Sequence, residues 1–162
     1  MEATTEMIDK AEHLARTAYE GGKLMEEFVN KDRWGQARTV VIDEKASVVY
    51  KLVLDEKHED NHKEWKIWAE MPIEAKLVTA ESLYLSLCGK VLVMELATII
   101  LDQVAQGKAA QIIRKEFDAY LTLCLRKQWS AEAVADMLSD NHNQNMGYRA
   151  DGSPVWIDYA GF

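Results

Sequence analysis

The chain has 162 residues, 48% hydrophobic and 28% charged, which is the size and composition of a foldable chain with one core and not of a disordered polymer. Nineteen Lys and Arg stand against 27 Asp and Glu, a formal charge of −8, which repels phosphate backbones and anionic lipid and argues against direct nucleic-acid binding. The most apolar stretch, Leu77 to Ala105, is interrupted by Glu81, Lys90, Glu95 and Asp102, so it lacks the run of roughly 18 uncharged residues that a membrane-spanning helix requires.

The expected organisation is one α+β domain over 1–162. Met1 to Asp9 is polar and acidic, without the basic lead and apolar stretch of a secretory signal. Cys88 and Cys124 both sit in apolar patterns, where a thiol packs as a small hydrophobe. A cytoplasmic protein is the expectation.

From Met7, apolar residues recur at helical spacing through Ala11, Leu14, Ala15 and Ala18 to Met25 and Phe28, which predicts a helix over 5–30 capped by Thr4 or Thr5. Gly21 and Gly22 fall on its apolar stripe, and because the phase survives them the helix is read as continuous or kinked. Next comes a three-stranded antiparallel meander over 37–71, with strands Thr39 to Asp43, Val48 to Asp55 and Glu64 to Met71, short segments rich in β-branched and aromatic residues. Pairing Asp55 with Glu64 puts Leu54, Leu52, Tyr50 and Val48 beside Trp65, Ile67, Ala69 and Met71 on one apolar face. Lys51 then falls opposite Trp68 on the other face, and Trp65 is expected in the core while Trp68 is not.

Helices are expected over 79–138. Val91 to Ala105 is apolar almost all round and reads as the central buried helix, with Glu95, Thr98 and Asp102 aligned along one edge. A second helix runs Lys108 to Trp129, and Ser130 caps a short third through Leu138. Asp151-Gly152 is a hairpin-turn signal. The tail 148–162 carries Val155, Trp156, Ile157, Tyr159 and Phe162, too much apolar surface to leave in water. It is expected to dock, on its own chain or on a second copy; the latter makes the protein a homodimer.

Three groups of residues are candidates for chemistry. His58 and His62 bracket Glu59 and Asp60, donors suited to a divalent ion, yet a hairpin loop removes the geometric reason for their spacing and a solvated tip is the preferred reading. Glu95 and Asp102, two helical turns apart, are carboxylates in apolar surroundings but lack a nucleophile or third partner. Lys51 beside Trp68, with Val49 and Val53, forms a sheet face too apolar for plain solvent; it is expected to be covered by the tail around Trp156 or the helix near Trp129, and the functional alternative reads it, with Trp156, Tyr159 and Phe162, as a partner-binding surface.

No dinucleotide or phosphate-binding glycine pattern and no nucleophile elbow occurs, and no cofactor is expected. The functional expectation is a small acidic cytosolic regulator, inhibitor or adaptor, of the kind phages and mobile elements encode, acting by binding another protein. The second reading is a small metal-assisted or acid/base enzyme using His58 and His62 or Glu95 and Asp102.

Overall fold

The computed structural model describes residues 1–28, 38–55, 59–71, 73–113, 115 and 145–158. It is a mixed α+β fold, in two compact units: Met1–Ala69 with Glu81–Leu96, and Glu70–Ala80 with Ala97–Phe162.

The first unit begins with helix α1, Thr5–Thr17, whose N-cap is Thr4: its side chain accepts the Met7 amide at 3.3 Å. The buried residues Met7, Ala11, Leu14 and Ala15 form the stripe that the sequence predicts. The helix stops before the glycines. Gly21 and Gly22 take φ of +57° and +82°, the left-handed pair of a two-residue hairpin turn, which joins strands β1 (Tyr19–Glu20) and β2 (Lys23–Leu24). The expected helix to residue 30 is thereby corrected; two consecutive left-handed residues are open to glycine and incompatible with a continuing right-handed helix.

Strands β3 (Arg38–Asp43) and β4 (Val48–Val53) form the antiparallel pair that the sequence predicts, in one unbroken register from Arg38–Val53 to Asp43–Val48. The third strand of the meander does not exist. Asp60–Glu70 is helix α2, and the place beside β4 is taken by β6 (Val91–Glu95), which pairs with β5 (Ser82–Leu85) to complete a sheet of order β3-β4-β6-β5. The stretch expected to be helical from residue 79, with its central helix from Val91 to Ala105, is therefore strand at β5, at β6 and again at Thr98–Ile99, and helical only from residue 103. Val91, Leu92, Val93 and Met94 are all buried; a short apolar run covered on both faces carries no periodicity that separates strand from helix.

Strand alternation splits this sheet into two faces. Val48, Tyr50, Leu52, Val91 and Val93 join Met7, Ala11, Leu14, Ala15 and Ala18 in the apolar core under α1. The opposite face carries Arg38 from β3, Val49, Lys51 and Val53 from β4, and Leu92 and Met94 from β6. It is this second face that meets α2.

The second unit contains the short helix α3 (Ile73–Lys76), a three-stranded sheet of order β7-β8-β9 from Thr98–Ile99, Met146–Tyr148 and Pro154–Trp156, and a helix, α4, over 103–113. Asp151-Gly152 makes the expected turn: Gly152 has φ +83°, and Asp151 Oδ1 accepts the Ser153 amide at 2.9 Å. Gly147 lies where a Cβ would come within 2.9 Å of the Thr98 carbonyl, so the close pairing of β7 with β8 needs glycine there. Trp156 is 4% exposed, and its backbone bonds Val78 and Ala80. The tail thus docks on its own chain as far as it is described; Tyr159 and Phe162 lie outside the described residues, as do the expected helix 130–138 and the end of the one at 108–129.

Candidate functional site

Within the first unit, α2 is fastened to the second sheet face by polar groups. Its buried residues are Asn61 and Glu64, both with no exposed area. Glu64 takes Lys51 Nζ at 2.9 Å on Oε1 and 3.0 Å on Oε2, and Arg38 Nη1 bonds the same Oε2. Lys51 itself is only 6% exposed. A carboxylate so enclosed is tolerable because two cations and their hydrogen bonds replace the water it has lost. Asn61 Nδ2 lies 3.0 Å from the Lys51 carbonyl, 3.3 Å from that of Gly89 and 3.0 Å from that of Lys90.

Those last two acceptors belong to the β5–β6 hairpin, whose tip runs from Ser86 to Lys90 and is tied down from several sides. The Gly89 amide bonds the Ser86 carbonyl at 2.8 Å, and the Val91 amide bonds Ser86 Oγ at 3.0 Å. From α1, Glu12 Oε1 accepts the Leu87 amide at 2.8 Å and the Tyr84 hydroxyl at 2.7 Å. These two bonds, the amide first, hold the Glu12 carboxyl below its usual range, while the bond to Glu12 pushes the Tyr84 hydroxyl up. The Tyr19 hydroxyl lies 3.2 Å from the Lys90 carbonyl, and Lys90 Nζ sits 4.7 Å from the Tyr19 ring centre. Gly89 has φ +75°, and a Cβ there would run into the imidazole of His62.

Out of this fixed backbone points Leu87, 90% exposed, beside the exposed thiol of Cys88. Leu87 is thus a large apolar side chain held in water on a backbone bonded from α1, α2 and β1.

Of the residues singled out from sequence, Lys51 and His62 lie in this arrangement, Lys51 on Glu64 and His62 beside Gly89, and the others fall elsewhere. Lys51 and Trp68 are not cross-strand partners, because Trp68 lies on α2. Lys51 and Val53 are buried, while Val49 is half-buried, and α2 supplies the cover that this face needs. Trp65 and Trp68 are both half-buried, so the expected contrast between them disappears with the strand that carried it. His62 is an exposed residue in the first turn of α2, and His58 lies outside the described residues. Among the described residues no cluster of three or more His, Cys, Asp or Glu could hold a metal ion.

Glu95 ends β6, where its Oε2 accepts the Glu81 amide at 3.2 Å. Asp102 caps α4, accepting the Ala105 amide at 2.7 Å. Their expected alignment on one helix edge has no helix to carry it. Cys88, expected to pack inside, is exposed because it sits in the turn, and Cys124 lies outside the described residues.

Sequence reasoning did not single out Leu87, Glu12, Asn61 or Glu64. The alternation Leu83, Leu85, Leu87 ahead of Gly89 is the one local signal of a strand running into a turn. No family model matches this chain, and comparison with curated proteins and solved structures finds no match. No helix among the described residues is long and apolar enough to cross a membrane.

Proposed function

We propose that this protein acts by binding another protein, as a small acidic regulator, inhibitor or adaptor, and that the β5–β6 tip is the contact surface with Leu87 as its apolar anchor. The observation that carries this reading is the combination of 90% exposure at Leu87 with a tip backbone held by Glu12 and Asn61. An exposed leucine on a loose loop is ordinary. One on a clamped tip has already lost the conformational freedom that binding would otherwise remove. The charge of −8 supports a protein partner over a nucleic acid or an anionic lipid surface.

Immobilised wild-type chain and a Leu87→Glu variant are to be compared for proteins captured from the native host. The reading requires a partner retained by the wild type and lost from the variant at unchanged melting temperature. Equal capture by both rules Leu87 out as the anchor.

A further inference from the structure

We propose that α2 is a polar strap that opens as a unit of its own, and that its docking sets the geometry of the β5–β6 tip. The inference rests on the reading of that tip as the contact surface and assigns its regulation. Two observations combine. Helices α1 and α2 of the first unit are attached by different chemistry: α1 buries Met7, Ala11, Leu14 and Ala15 in the core, whereas the fully buried residues of α2 are the polar Asn61 and Glu64, with Trp65, Ile67 and Trp68 only half-buried. Apolar packing is lost gradually and survives local adjustment. A buried carboxylate shared by Lys51 and Arg38 holds only while the geometry is kept, since breaking it strands charges out of water. Segments with few buried apolar side chains open at lower free energy than the core.

The second observation links strap to tip. The first turn of α2 reaches the tip, with Asn61 at the Gly89 and Lys90 carbonyls and the His62 ring against Gly89. When α2 lifts, these contacts leave together, while the tip keeps its ties to Glu12 at Leu87 and to Tyr19 and the Val53 amide at Lys90. Docking of α2 and ordering of the tip around Gly89 are therefore coupled, and by linkage whatever binds the ordered tip closes the strap.

Hydrogen exchange on the full chain tests this without a partner. In Glu64→Gln, amides of α2 and of the tip peptide spanning Ser86 to Val91 are expected to exchange at least tenfold faster than in wild type, with α1 and β4 unchanged. Faster exchange in α2 with an unaltered tip overturns the coupling. If Glu64→Gln unfolds the whole chain, wild-type exchange in sub-denaturing urea decides: α2 and tip must share an opening less urea-dependent than that of α1 and β4. Exchange of all four through one global opening sinks the proposal. Leu87→Glu separates the two claims, because it removes partner capture on the contact reading while leaving the strap opening as in wild type.

Discussion

Glu12 on α1 and Leu87 at the β5–β6 tip stand 75 residues apart in the chain, yet the Glu12 carboxylate accepts the Leu87 amide at 2.8 Å. The same oxygen takes the Tyr84 hydroxyl at 2.7 Å. One carboxylate thus joins the first helix to the backbone beneath the most exposed leucine among the described residues.

Because those bonds lower the folded-state pKa of Glu12 below its ordinary 4.5, the stability they contribute is present above that value and is lost as pH falls through the folded pKa. Glu12→Gln is expected to flatten the acid limb of a melting-temperature profile below the ordinary 4.5. At neutral pH it should lower stability by about 1 kcal/mol. An acid limb identical to wild type counts against the clamp.

Leu87 and Leu52 make opposite demands. Leu52 has no exposed area in the core under α1, so Leu52→Ala should cost about 2 to 5 kcal/mol in urea unfolding. Leu87→Glu should stay within about 0.5 kcal/mol of wild type, as surface changes do. A large loss at Leu87 would mean that its side chain is buried.

Gly89 combines a left-handed backbone with the His62 ring where a side chain would stand. Gly89→Ala should cost about 1 to 2 kcal/mol from backbone conformation alone, with a further loss from the clash. In a His62→Ala background the clash disappears and only the backbone part remains. Four unfolding curves give this difference as a coupling energy, and strict additivity of the two changes would refute the contact.

Burial pushes the Tyr50 hydroxyl up from 10.0 to about 12, with Asp43 and Glu6 adding to the effect. A pKa raised in the folded state stabilises fully below the unfolded value and is lost as pH rises through the folded one. Stability should therefore fall between about pH 10 and 12, and Tyr50→Phe should reduce that fall in a pH series of thermal melts. An unchanged alkaline limb would show that Tyr50 ionises freely.

The stripe from Met7 to Ala18, the β3–β4 pair and the Asp151-Gly152 turn were legible because each is written in nearest-neighbour chemistry: helical spacing with a Thr4 cap, β-branched runs, a turn dipeptide. Their partners were not. Glu64 to Met71 satisfies a period of two as a list of apolar and polar residues, and only the cations of Arg38 and Lys51, brought from two strands, make a helix with a buried Glu64 acceptable. Val91 to Met94 is apolar at every position, so its own residues cannot say whether it lies between two sheet faces or inside a helix bundle. Pairing with β4 and β5 decides that. The tip was hidden for the same reason: Leu87 reads as one more apolar residue in an apolar stretch, and its exposure follows from Gly89 turning the chain while Glu12 and Asn61 hold the backbone from far along the sequence. Sequence by itself determined composition class, charge and the local elements whose stabilising contacts lie within a few residues; tertiary structure decided which apolar run is strand, which carboxylate is buried and which leucine meets water, because those depend on contacts between residues distant in the chain.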